Sequence, residues 1–471
     1  MSPDEAGQQG VTPGRLRDLV VLCAVVVLLM SAVSVANLSV PALAASGLHP
    51  STTEQTWFVD AFVIAFACLL LPAEMLGARF GEERLLVLGL ALFALASLIA
   101  LLAPGMGMLI ASRGLAGIGA GLALPQSLSV LLRRSPGHRH AALVAAWTAS
   151  TSVAGLVGNG LGGLLIASGG WRSPFAWTLP LTVVLLVLVV SVVGMRRPRD
   201  PHATLDLPGT ALFVLAAVAA LVTLIEAPNL IGRPLLLAVP AVVCIAAAVA
   251  FWRVERRALH PLLHLDVFRS PVVRAAALGI VATFAGLFTL FSLNAHLVQT
   301  VRGLNAAVAG LALVPVSVAM FVVTYATVPL VRRFGLSAIV AAGLLVSAAG
   351  YGLVAIGLEG PFWGYEAAVV VVGVGAGLCS SPLSTRLTME YSVTGGRAGA
   401  GVNSTLRELA SATGVGIVGV ALALTMPGAA TGAAERAAVT SAAGGVFAGV
   451  AALLVVCCLA MLLDVRAARG R

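Results

Sequence analysis

Two ionisable residues, Asp60 and Arg113, lie inside long apolar stretches of the sequence. A charge placed in hydrocarbon costs about 2.5–3.5 kcal/mol on insertion scales, so each must face the protein interior and find a partner there. A carboxyl so placed can take up and release a proton, and a guanidinium beside it would favour the ionised form. Asp60 and Arg113 are therefore the candidate proton-coupling groups, with a static ion pair as the plainer alternative. Asn37, Gln126, Asn159 and Asn294 are candidates to line a central path. Their amides lose hydrogen bonds in lipid unless water, a ligand or a neighbouring helix replaces them. Trp147, Phe284 and Phe288 offer rings on which a ligand cation could stack. Glu74 and the adjacent Arg407-Glu408 are candidates for a gate closing against the loop that holds Arg79, while Glu226 and Glu366 are expected at the opposite membrane interface.

The elements positioning these groups follow from composition. Of 471 residues, 59% are apolar and only 10% charged, with a mean hydropathy of +1.04. A soluble globular protein carries about a quarter charged residues, so most of this chain is solvated by lipid. All 28 basic residues are arginine, giving a formal charge of +9. They sit in short clusters between apolar runs, which points to membrane topology rather than to nucleic acid. The six cysteines all fall inside apolar runs without zinc-site or redox spacing. No nucleophile elbow, phosphate loop, metal-binding histidine cluster or dinucleotide fingerprint occurs, so neither an enzyme nor a bound cofactor is expected.

A helix crossing the hydrocarbon needs about 20 apolar residues. Fourteen such spans are predicted, at 19–45, 55–77, 85–103, 107–132, 141–166, 175–195, 208–226, 234–252, 274–297, 306–331, 336–358, 362–386, 399–425 and 439–463. With the N-terminus inside, 23 arginines fall on the inner side. Four, Arg172, Arg233, Arg302 and Arg436, fall outside, and Arg113 lies within a span. That asymmetry predicts both termini in the cytoplasm. Asp60 and Arg113 then share a depth of roughly 8–9 Å below the outer surface, counted at 1.5 Å per residue. The basic stretch from Arg253 to Arg274 is expected to lie along the inner membrane surface, joining the halves.

The chain repeats itself. Gly117-Ile118-Gly119-Ala120-Gly121-Leu122 returns as Gly373-Val374-Gly375-Ala376-Gly377-Leu378, an offset of 256. Gly158 and Gly160 return as Gly414 and Gly416 at the same offset, and Arg79-Phe80-Gly81 returns as Arg333-Phe334-Gly335 at 254. Three echoes in order imply duplication, with spans one to six matching nine to fourteen and spans seven and eight inserted. The predicted organisation is a first six-helix unit over residues 1–200, an inserted pair over 201–255, and a linker with a second six-helix unit over 256–471.

Particular motifs carry a family resemblance. Asn37-Leu38-Ser39-Val40-Pro41, Trp57-Phe58-Val59-Asp60-Ala61-Phe62, Leu76-Gly77-Ala78-Arg79-Phe80-Gly81, Arg113 with Gly117, Gly158-Asn159-Gly160-Leu161-Gly162-Gly163 and Trp171-Arg172 stand in sequence. Together they resemble the major facilitator superfamily, specifically its fourteen-helix drug:proton antiporter branch. Members commonly place an aspartate where this chain has Ala32, another at Ala78 and a proline at Asn159. The loop's usual basic pair is here Glu82-Glu83.

The resemblance implies an all-α polytopic membrane protein of two six-helix bundles plus two inserted helices, working in a bacterial cytoplasmic membrane. It implies export of lipophilic or cationic, drug-like or antibiotic compounds in exchange for protons. Arg79, Gly81, Gly158, Gly162 and Gly163 carry the gating motifs, beside Glu74, Arg407 and Glu408 as gate candidates. The expected partners are a small-molecule substrate, protons and membrane lipid, with no nucleic acid, and a monomer is expected. A facilitator or differently coupled exporter is the transport alternative, motivated by Ala32 and Ala78. A membrane sensor or scaffold is the alternative outside transport.

Overall fold

The computed structural model describes residues 13–136, 139–194, 206–230, 234–258, 261–304, 306–393, 399–425 and 432–469. The first half contains α1 (Pro13–Ala44), α2 (Thr52–Phe80), α3 (Glu82–Leu102), α4 (Met106–Arg133), α5 (His140–Gly169) and α6 (Ser173–Leu188). Next come α7 (Leu207–Leu230) and α8 (Pro234–Glu255). The second half contains α9 (Pro271–His296), α10 (Ala306–Leu311), α11 (Val314–Phe334), α12 (Leu336–Ile356), α13 (Phe362–Val393), α14 (Gly399–Thr425) and α15 (Ala433–Arg469). Apolar sequence in lipid must satisfy its backbone internally, which leaves helix as the available form. Thirteen stretches are long and apolar enough to span, and one of them, Ala142–Val193, holds both α5 and α6. The described residues thus make fourteen crossings, with α10 and α11 sharing one. The expected boundary near residue 200 falls outside the described residues.

Packing repeats the sequence duplication in three dimensions. Gly117 and Gly121 of α4 meet the carbonyls of Phe62 and Phe66 on α2, whereas Gly119 meets α3 at Gly89. Gly373 and Gly377 of α13 meet Val316 and Met320 on α11 in the same way, and Gly375 meets α12 at Gly343. A Cβ at Gly158 would lie 2.8 Å from the Ser31 carbonyl of α1. Its counterpart Gly414 meets the Ala285 carbonyl of α9 more closely still. At the α2–α3 turn Gly81 adopts φ of 101°, and at the α11–α12 turn Gly335 adopts 84°, a left-handed backbone that glycine takes without penalty. Their N–H groups close the preceding helices on Gly77 and Val331. Helix pairs α1/α9, α2/α11, α3/α12, α4/α13 and α5/α14 are therefore equivalent.

Each half has its own core, one built on Phe62, Phe66, Phe93 and Trp147 and the other on Phe284, Tyr351, Tyr365 and Phe447. The halves touch along α2 with α14 and α5 with α11, two contacts that the duplication exchanges. Helix α7 fits beside this seam against both α2 and α14, through Ala67, Cys68, Ala217 and Leu221. Residues after α8 return to the second core, burying Leu262 and Val267. There the His264 N–H donates to the Tyr391 hydroxyl at 2.8 Å.

Candidate functional site

The centre of the molecule is occupied by Arg407. Its guanidinium lies 4.3 Å from the Phe284 ring centroid on α9 and 5.7 Å from that of Trp147 on α5. It donates to the Thr151 hydroxyl of α5 at 3.3 Å. Thr151 and Arg407 are themselves equivalent positions, 256 residues apart in the register set by Gly158 and Gly414. Two equivalent positions can meet only near the axis that relates the halves. Helices α5 and α14 lie diagonally across the seam formed by α2/α14 and α5/α11, so Arg407 crosses the middle of the interface. The expectation that Arg407 gates against the Arg79 loop is corrected here. Arg79 is exposed over the ring of Phe80, while Arg407 is only 6% exposed and reaches inward. Two of the three rings suggested as a cradle for a ligand cation, Trp147 and Phe284, already hold the protein's own.

Around Arg407 polar groups are buried without partners. Its Nε has no acceptor, and both amide atoms of Asn403, one turn earlier on the same helix face and 1% exposed, have none either. Among the described residues no carboxylate lies within salt-bridge distance of the guanidinium, although Glu408 is within electrostatic range. The Trp147 indole donates to Ser127 of α4 at 3.0 Å.

Glu74 closes the seam nearer the arginine-rich end. Its carboxylate accepts from Ser129 of α4 at 3.2 Å and from the Gly401 backbone N–H in the first turn of α14. First-turn N–H groups have no partner within their own helix, so an acid from one bundle caps a helix of the other.

Asp60 and Arg113 share a depth but not a direction. Arg113 donates to the carbonyls of Phe58 at 3.2 Å and Ala32 at 3.4 Å and stands over the rings of Phe58 and Phe62. It borders a small cavity inside the first bundle, lined also by Ser31, Ser39, Ser97 and Ser112. At about 100° per residue, Phe58 and Phe62 share one face of α2, and Asp60 points to the other. There it is within electrostatic range of Glu226 on α7. Asp60 and Arg113 form no ion pair among the described residues.

The amide candidates divide. Gln126 donates to the Ala73 carbonyl at 2.7 Å and fills the gap over Gly77, tying α4 to α2. Asn294 donates to Ala309 at 2.7 Å and accepts from Tyr365 at 2.8 Å. Both are interhelical fastenings. Asn37 donates only to Val33 of its own helix and is exposed, and Asn159 is half-buried. Gly162 meets Val35, whereas Gly163 faces open space. Glu82 and Glu83, which stand in place of the usual basic pair, both form ion pairs with Arg133 of α4. The centrality of Arg407 and Asn403 escaped the sequence reading. The signal was present, since Trp147 and Thr151 return at the established offset as Asn403 and Arg407.

Two bundles related by duplication, with buried polar groups on the axis between them, agree with the comparison against known families. The Major Facilitator Superfamily model matches residues 22–415. The chain belongs to the major facilitator superfamily. As a member of this superfamily it is a multi-pass membrane transporter of small molecules and not an enzyme. It is similar to the methylenomycin A resistance protein of Streptomyces coelicolor, 31% identical over 380 residues, spanning 80% of this chain and 79% of that one. It is also similar to the cephamycin export protein CmcT of Amycolatopsis lactamdurans, 29% identical over 464 residues, spanning 96% and 92% of the two. The proton:xylose symporter XylE superposes with a TM-score of 0.66 at 15% identity, covering 96% of this chain and 95% of that one. The human organic anion transporter MFSD10 gives the same score and identity over 94% and 100%. At that identity these two structures speak for the fold alone.

Proposed function

We propose that this superfamily member exports lipophilic, drug-like or antibiotic compounds by alternating access, driven by proton exchange. The observation that carries the reading is the Arg407–Thr151 contact on the axis between equivalent bundles. A contact placed there must break and re-form when the bundles rock, and it lies where a substrate must pass. The similarity to resistance and export proteins supports drug efflux as the activity. The arginine bias supports a cytoplasmic face at the Arg79 and Glu74 end, with both termini on that side of a bacterial cytoplasmic membrane. The chain acts as a monomer in this reading, since the duplication supplies both halves of the path.

Asp60 is the proposed proton carrier. It faces Glu226 across the α2–α7 contact, and the two carboxyls repel when both are charged. Proton uptake there changes how tightly α2 holds α7 and, through α7, how α14 sits. Arg113 fixes α2 to α1 and α4 and acts on Asp60 only through that scaffold. In proteoliposomes, Asp60→Asn should abolish export driven by a pH gradient while leaving substrate counterflow. Unchanged pH-driven export would remove Asp60 from coupling. A facilitator is favoured by one observation, that Arg113 reaches the carbonyl of Ala32 where relatives commonly carry an acid. Uphill export that needs the pH gradient separates the two.

A further inference from the structure

We propose that the central site selects organic anions, binding a carboxylate or sulfonate on the Arg407 guanidinium and the Asn403 amide. The inference rests on the exporter reading above and assigns the charge of its substrate. Arg407 is a permanent positive charge on the axis of the transporter, with no carboxylate at salt-bridge distance among the described residues. Its Nε and both amide atoms of Asn403 are buried and unpartnered. Such groups are costly to leave unsatisfied, and an oxyanion would satisfy the two donors among them, Arg407 Nε and Asn403 Nδ2, at once. Guanidinium is a planar fork of donors suited to bidentate oxyanion recognition, and the Asn403 amide adds a further donor one turn away.

In the closed seam the guanidinium is held by one neutral hydroxyl, Thr151, and by the faces of Trp147 and Phe284. Thr151 and Trp147 belong to the opposite bundle. Separation of the bundles withdraws both and frees the guanidinium, with Phe284 remaining on its own side to receive an aromatic or aliphatic body. A cationic substrate would meet the opposite situation, because the Trp147 and Phe284 faces at this site are already occupied by a like charge that cannot be deprotonated. Glu408 is the nearest acid on the helix. As the residue after Arg407 it lies about 100° around α14, to one side of the Asn403–Arg407 face.

The full chain in inverted vesicles tests this with three matched probes: 2-naphthalenesulfonate, 2-naphthalenesulfonamide and (2-naphthylmethyl)trimethylammonium. The readout is the ratio of sulfonate to sulfonamide transport within one preparation, which cancels differences in the amount of folded protein. The wild type should favour sulfonate by about tenfold or more and carry the ammonium poorly. Arg407→Gln should collapse that ratio, and Arg407→Lys, which keeps charge but not the fork, should give an intermediate value. Asn403→Ala should lower it several-fold, and this decides the matter if Arg407→Gln fails to reach the membrane. Ammonium carried as well as sulfonate, or a ratio unmoved by these substitutions, would overturn the anion assignment and leave the exporter standing. Transport of none of the three would overturn both. Thermal protection of the purified chain by sulfonate, lost in Arg407→Gln, is the matching binding result, and no protection in the wild type would count against the site.

Discussion

The Glu74–Gly401 contact predicts that one methyl group will open one end of the transporter. A Cβ added at Gly401 would lie 2.5 Å from Glu74 Cγ, 3.1 Å from the Leu70 carbonyl oxygen and 3.3 Å from Glu74 Cβ. Glu74 can swing away, but the Leu70 backbone belongs to α2 and cannot, so α14 must back off by a few tenths of an ångström and lose its cap. Leaving the Gly401 N–H and its buried acceptor without each other costs about 1–3 kcal/mol, and water entering the opened seam restores part of it. The net effect of Gly401→Ala is therefore about 1–2 kcal/mol, a shift of roughly 5–30-fold toward the conformer open at the Glu74 end. The assay is maleimide labelling of Ser129→Cys, beside Glu74, in a chain whose native cysteines are replaced by alanine. Labelling should accelerate by that factor in Gly401→Ala, and by less in Glu74→Gln, which keeps an acceptor for the Gly401 N–H. A rate within twofold of the parent in both variants would show that this contact does not hold the seam.

Further expectations follow from buried groups. Ala32→Asp should fold, because it sets a carboxyl beside the Arg113 guanidinium, whereas adding Arg113→Gln to that variant should strip the buried acid of its partner and cost about 3–5 kcal/mol; thermal unfolding of the three proteins in detergent measures both. Gly158→Ala should destabilise by about 1–3 kcal/mol because α1 blocks the new methyl, while Gly160→Ala, with open space, should stay within about 0.5 kcal/mol in the same assay. Asn294→Leu breaks the link from α9 to Tyr365 and should lower stability by about 1–3 kcal/mol without altering the preference among transported probes.

What the sequence revealed was one-dimensional, and its limits follow from that. Span positions and the repeat are properties of spacing along the chain, so the fourteen crossings and the α4/α13 glycines emerged directly. Depth also counts residues, and Asp60 and Arg113 do lie at similar levels. Facing direction depends on which helices are neighbours, and there the pairing failed: Phe58 and Phe62 turn toward Arg113 and leave Asp60 to α7. The amide N–H groups of Gln126 and Asn294 bond to neighbouring helices for a related reason, since an amide in lipid must bond somewhere and a neighbouring backbone carbonyl was within reach. Arg407 was counted with the arginines of the inner surface because it lies near the start of a span. Its side chain is long enough to reach from there to the axis, and only the equivalence with Thr151 betrays it.

Alternating access requires movement of the two bundles about the α2–α14 seam. Glu74 Cβ lies 3.3 Å from the position of a Gly401 Cβ, close enough for a disulfide after slight relaxation. Export by Glu74→Cys/Gly401→Cys, in a chain otherwise free of cysteine, should stop when the pair is oxidised and return on reduction. Crosslinked protein that exports at the reduced rate would mean that the bundles do not part there, and that substrate takes another way through.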